Sequence, residues 1–254
     1  MTKVTALLLA GSRPGGDPFA KRYGVEAKAL IPIAGEAMVL RPLRALLASK
    51  NVAAVRILTQ EPDLIAPVLF DDDRWAIEPS QGTIAATLER ICADERTQWP
   101  LLVTTADHAL LEAAMIDQFC AEGEGADLAL AVVTRSALMK RLPQSRRTWI
   151  GFRRGKYTGA NLFLLGSPKA MRAIALWREV EQDRKKGWRL LLALGWPGLL
   201  GLLRLRTLDQ TLDAMGRRLG LSLRAVRLDD PLAAVDVDKP SDYELVTDIL
   251  SRRA

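Results

Sequence analysis

The chain alternates between short, continuously apolar stretches and longer ones in which apolar residues recur every three or four positions. VTALLLA, VAAVRILTQ, PLLVTTAD and ADLALAVVT are of the first kind; AMVLRPLRALLAS, GTIAATLERICAD and LEAAMIDQFCAEG are of the second. Unbroken apolar runs predict strands covered on both faces, and their alternation with helical periods predicts a mostly parallel sheet wrapped by helices. The first half is therefore expected to be a doubly wound, three-layer α/β/α unit.

The second half is less regular. YTGANLFLLGS and LSLRAVRL read as strands, and SPKAMRAIALWREVEQD as a helix opened by Ser167 and Pro168. TLDQTLDAMGRRLG reads as a helix stopped by Gly220, and a closing helix is expected to be capped by Ser241 or Asp242. With no repeat and no long low-complexity linker, residues 1–254 are expected to form one domain. Its oddity is KKGWRLLLALGWPGLLGLLRLR, residues 185–206. Glycine and proline interrupt this stretch too often for a spanning helix, which needs about 20 apolar residues. Its tryptophans and basic flanks suit either a buried helical hairpin or an element lying on a membrane surface.

Composition narrows the picture. Of 254 residues 49% are apolar, enough for a sizeable core. Cys92 and Cys120 are far apart in sequence, which suggests neither a disulfide framework nor a zinc site and fits a reducing cytoplasm. The apolar run at the N-terminus is too short for a convincing signal peptide. The net charge of +6 is read as scattered, and without a nucleic-acid-binding motif it points to small phosphorylated ligands or an anionic membrane surface.

In doubly wound sheets ligands bind beyond the carboxyl ends of the strands. Three segments fall on that rim: the loop after LLLA, the SQGT turn, and TADHALL. The first carries Gly11, Ser12, Arg13, Gly15 and Gly16 and leads to Lys28, offering backbone amides and cations to a triphosphate. It matches neither a Walker loop nor a dinucleotide fingerprint. Asp107 ends a buried strand at the same rim, and Asp236 and Asp238 sit near the far end of the chain. A hard divalent cation uses one or two such carboxylates together with phosphate oxygens.

LLLAGSR, KALIPIAGEAMVLRPLRAL, the QGT turn, TAD after a strand, and DVDKPSDYELV occur here in an order that resembles the sugar-phosphate nucleotidyltransferase superfamily. Molybdenum-cofactor guanylyltransferase-like (MobA-like) and methylerythritol-phosphate cytidylyltransferase-like proteins are the nearest in pattern, over residues 4 to about 165 and 205 to 250. The resemblance implies a Rossmann-like fold and transfer of a nucleoside monophosphate from a triphosphate to a phosphorylated acceptor. It assigns Arg13 and Lys28 to the triphosphate, and Ala10, Gly11, Ser12 and Ala106 to the nucleotide's surroundings. Gln81, Gly82 and Thr83 match the base-reading turn. Asp107 and Asp238, with Asp236 as alternative, match ligands of Mg²⁺ or Mn²⁺, and Asp107 is counted with Arg13 and Lys28 as catalytic. Lys156, Asn161 and Lys239 fall on the acceptor side. The loop from Gly11 to Lys28 is long for the family, which leaves Lys21 and Arg22 as substitutes for Lys28.

The expected partners are a nucleoside triphosphate and a sugar, polyol or lipid-related phosphate. A homodimer and a peripheral membrane contact through 185–206 are compatible with the sequence, and nucleic acid is not expected. Two other readings use the same scaffold: a glycosyltransferase with a nucleotide-sugar donor, disfavoured because TTADH lacks the D-x-D at the central strand, and a non-catalytic nucleotide-binding or membrane-docked module.

Overall fold

The computed structural model describes residues 2–11, 17–80, 82–182, 198, 200–201 and 203–253. Ser12, Arg13, Gln81 and most of 185–206 lie outside the described residues. The first half runs β1 (Val4–Leu9), α1 (Pro18–Arg22), a small hairpin β2 (Pro32–Ile33) and β3 (Glu36–Ala37), α2 (Leu40–Ala48), β4 (Val52–Thr59) and α3 (Pro62–Ile65), then β5 (Trp75–Pro79), α4 (Ile84–Ala93), β6 (Leu101–Thr105) and α5 (Ala113–Gly123). The second adds β7 (Leu128–Thr134), α6 (Arg135–Arg141), β8 (Ile150–Phe152), β9 (Gly155–Leu165), α7 (Met171–Gln182), α8 (Leu208–Leu219), β10 (Leu223–Arg227) and α9 (Pro240–Ser251).

The main sheet has the order β10-β7-β9-β6-β1-β4-β5, with β8 paired to β9. Its pairs are parallel except those made by β9, which runs antiparallel to β6, β7 and β8. From β1 the chain moves to β4 and β5 on one side, then returns to β6 on the other. This reversal opens a crevice at the carboxyl end of β1.

The strand period shows why both faces are covered. Ala6 and Leu8 join a core cluster with α2, α5 and α9, whereas Leu7 points the other way, into a cluster with Leu88 and Ile91 of α4 and Ile174 of α7. In α2, Leu40, Leu43, Leu46 and Leu47 are buried at helical spacing. α8 opens with a capping box of Thr207 and Gln210 and stops at Gly220, which is left-handed at φ 66°.

One cap expectation holds and one needs correction. Ser167 opens the helical segment, capping a 3₁₀ turn, Pro168–Ala170, that runs straight into α7. At α9 the N-cap position is Lys239, and Ser241 and Asp242 lie inside the first turn. Asp242 instead accepts a hydrogen bond from the Asp238 amide at 3.2 Å. Strands β5 and β8, too short or too polar to stand out in the pattern, are also present.

Beneath the rim lies His108, buried, with Nδ1 3.4 Å from the Thr104 hydroxyl. Burial lowers its pKa from 6.5 to about 4. Between those values the unfolded chain binds a proton that the folded chain refuses, so this group removes stability as pH falls. At pH 5 the loss relative to pH 8 amounts to about 2 kcal/mol. Denaturant titrations of wild type and His108→Gln at both pH values should show the variant losing that much less on acidification; parallel losses would contradict it.

Candidate functional site

A cleft of about 770 Å³ occupies the crevice, lined by the ends of β1, β4 and β6 and the start of α4. That size suits a nucleotide-sized ligand. The strand ladder extends into the loops, because the Ala10 amide donates to Leu58 and the Ala106 amide to Leu9, both at 2.9 Å. Gly11 passes so near Gln60 that a Cβ there would meet its amide oxygen at 2.6 Å. Gly82 turns the chain at φ 76°, and the Thr83 hydroxyl caps α4 by accepting from the Ala86 amide at 3.3 Å. Ala10, Gly11, Gly82, Thr83 and Ala106 thus all border one cleft. Ser12, Arg13 and Gln81 are outside the described residues.

At the cleft's mouth three segments meet on one ammonium group. Lys28 Nζ lies 2.6 Å from Asp107 Oδ2 and 2.6 Å from Asp238 Oδ1. The two carboxylate oxygens are therefore no farther apart than twice that distance. Backbone fixes the meeting: the Val237 amide donates to the Asp107 carbonyl at 3.0 Å, stapling the C-terminal segment to the end of β6. The Thr105 hydroxyl donates to the other Asp107 oxygen. α1 docks against α9 through Tyr23 and Tyr243, whose ring centroids are 4.4 Å apart, which carries the turn bearing Lys28 toward Asp238.

Burial works against the Lys28 charge, but Asp107 and Asp238 outweigh it and hold its pKa above the ordinary lysine value. The donor set fits a hard divalent cation of the Mg²⁺ class: two carboxylates converge on a point already occupied by a positive charge, and open space for phosphate oxygens lies beside them. Among the described residues no group of three or more potential metal ligands gathers.

Asp236 is not brought onto Lys28. Its Oδ1 and backbone carbonyl accept from the Arg147 guanidinium, and its Oδ2 accepts from Asn161 Nδ2 at 3.1 Å. Asn161 sits in β9 with φ 47°, inside the register jump between Leu130↔Phe163 and Val132↔Gly159. A left-handed residue at a bulge re-aims its side chain, here toward the rim. Burial lowers the Arg147 pKa, while Asp242, Asp238 and Asp107 pull it back up, so this cation lies within the field of the acid pair. Arg147 was missed in the sequence because PQSRRTWI has no periodicity, and nothing in it distinguishes Arg147 from its exposed neighbour Arg146. Lys156 and Lys239 are exposed on the flanking hairpin and at the start of α9. Lys21 and Arg22 are exposed at the end of α1, leaving Lys28 as the lysine in the cleft among the described residues.

Comparison with known proteins gives the family and the fold. A family model described as the MobA-like NTP transferase domain matches residues 6–196. A hypothetical transferase structure from Thermus thermophilus is 30% identical, with a TM-score of 0.79 over 95% of this chain and 100% of that one. Two more distant structures share the fold. A CMP:2-keto-3-deoxy-manno-octonic acid synthetase complexed with CTP is 12% identical, with a TM-score of 0.63 over 100% of both chains. A 4-diphosphocytidyl-2C-methyl-D-erythritol synthase from Anaerococcus prevotii DSM 20548 is 9% identical, with a TM-score of 0.61 over 99% of this chain and 97% of that one. No curated protein matches the sequence significantly. With its Rossmann-like sheet, its rim cleft and a match over most of its length, the chain belongs to the MobA-like NTP transferase family and is a nucleotidyltransferase.

Proposed function

We propose that the protein moves a nucleoside monophosphate from a triphosphate to a phosphorylated acceptor, a sugar, polyol or lipid-related phosphate, with release of pyrophosphate. The observation that carries this reading is the convergence of Asp107 and Asp238 on Lys28 at the mouth of a nucleotide-sized cleft. Two solved structures that share the fold are a CMP:2-keto-3-deoxy-manno-octonic acid synthetase in complex with CTP and a 4-diphosphocytidyl-2C-methyl-D-erythritol synthase, names that join a cytidine nucleotide to a small acid or polyol.

An acceptor phosphate oxygen attacks the α-phosphorus. The new P–O bond forms as the bond from the α-phosphorus to the bridging oxygen breaks, and pyrophosphate departs with that electron pair. A phosphate monoester has its second pKa near about 6 and is already largely dianionic at neutral pH, so no side chain has to take a proton from it. The one histidine, neutral and buried, fits a reaction without a general base.

The protein's task is to gather and neutralise negative charge in line. Lys28, with Arg13 from the preceding loop, holds the triphosphate. The backbone of Ala10 and Gly11 borders the nucleoside, with Ser12, Gln81, Gly82, Thr83 and Ala106 around it. Asp107 and Asp238 would hold Mg²⁺ or Mn²⁺, which when bound withdraws charge from phosphate oxygens. Arg147, oriented by Asp236 and Asn161, faces the acceptor's phosphate, with Lys156 and Lys239 at the entrance.

Four measurements test this reading. Pyrophosphate release should be screened across four triphosphates and a panel of sugar, polyol and lipid phosphates. With the best pair, Asp107→Asn should lower kcat by about 10²- to 10³-fold, the usual loss for an electrostatic stabiliser. An unchanged rate in a folded variant would refute the assignment. Arg147→Lys keeps the charge but loses the planar fork, so it should raise the acceptor KM about tenfold and leave the nucleotide KM nearly constant; a shift confined to the nucleotide would place Arg147 on the wrong substrate. The preferred triphosphate at about 100 times its Kd, with Mg²⁺, should stabilise the fold by about 2.7 kcal/mol in a thermal melt. Equal stabilisation with and without the cation would count against the acid pair as its holder.

A further inference from the structure

The positive charge of this chain is not scattered. From Arg135 to Arg178 there are eleven lysines and arginines and no aspartate or glutamate, more than the whole net charge of +6. This stretch includes the hairpin of β8 and β9, whose turn residues Arg153 and Arg154 are exposed. Beside the hairpin lies a second turn. Leu203 and Leu205 each remain 59% exposed there, and Ile150 on β8 is 47% exposed.

These side chains are held out by fixed backbone. The Arg204 amide donates to Gly201 and the Leu205 amide to Leu200, both at 2.9 Å, and the Arg153 amide donates to Arg206 at the same distance. Arg204, itself left-handed at φ 58°, lays its side chain across Gly151, where a Cβ would meet its Nε at 2.8 Å. A backbone hydrogen-bonded on both sides therefore presents leucines to water among arginines. Apolar side chains ringed by cations complement a surface that is anionic outside and apolar beneath.

We infer that this surface docks on an anionic lipid bilayer, with Leu203, Leu205 and Ile150 entering the headgroup layer and Arg153, Arg154 and Arg204 meeting lipid phosphates. A polynucleotide would satisfy the arginines and leave the leucines in water, so lipid is the occupant that accounts for both. The same hairpin carries Lys156 and is entered through the loop that bears Arg147, so docking here sets the acceptor side of the cleft next to the membrane.

Vesicle binding tests this without nucleotide, so its outcome is separate from that of the transferase reading. The full chain should co-sediment with mixed phosphatidylglycerol and phosphatidylcholine vesicles and only weakly with phosphatidylcholine alone. The paired change Leu203→Asp with Leu205→Asp should weaken binding at least about tenfold, since two apolar side chains are lost from the contact and two charges of the wrong sign added. Arg153→Glu with Arg154→Glu should weaken it similarly, and circular dichroism melts should show both variants folded. The inference fails if wild type ignores anionic vesicles, if neutral vesicles bind equally well, or if both folded variants bind like wild type. It fails equally if a duplex oligonucleotide binds more tightly and displaces the vesicles.

Discussion

The site depends on one shared ion pair. Asp107 comes from the end of a central strand, Asp238 from a segment near the other end of the chain, and Lys28 from a turn after the first loop; their meeting at 2.6 Å on each side draws three distant parts of the sequence into one place. Two carboxylates at that spacing repel unless a cation lies between them, and Lys28 supplies one. The backbone bond from Val237 to Asp107 makes the arrangement a property of the fold rather than of side-chain chance.

Around that point the sheet sorts charge. Toward β4 and β5 the rim offers glycine turns, backbone and a helix start, an environment suited to a nucleotide. Toward β9 it offers Arg147, held by Asp236, whose other carboxylate oxygen accepts from an asparagine in a left-handed conformation. The antiparallel strand β9 is what produces this asymmetry. Running against its neighbours, it brings its N-terminal half to the same rim that the parallel strands reach with their carboxyl ends, so residue 161 arrives level with residue 105.

Much of this was legible in the linear pattern. The continuous apolar runs identified β1, β4, β6 and β7, because a strand buried on both faces leaves no polar position to interrupt it. Rim residues Gly11 and Asp107 were found because strand ends in such a sheet face one edge, and Lys28 and Asp238 from the order of motifs shared with the family. The helix stop at Gly220 was legible too, since a left-handed cap is a local requirement. Harder to see were β8, with three residues, and the closing helix's cap, where the side chain of Asp242 was claimed by a more distant amide.

The sequence by itself determined the α/β layering and the rim loops, because periodicity and strand ends are local consequences of burial and chain direction. Only the tertiary structure decided which aspartate faces Lys28 and which faces Arg147. Residues 236 and 238 point the same way on an extended chain and are separated here by a backbone bond at Val237 and by their different partners. It also decided that Arg147 is half-buried beside the acids while Arg146 is exposed, and that the turn bearing Leu203 and Leu205 is hydrogen-bonded to the basic hairpin. Such choices depend on contacts between segments far apart in the chain, and no local pattern encodes the distance between them.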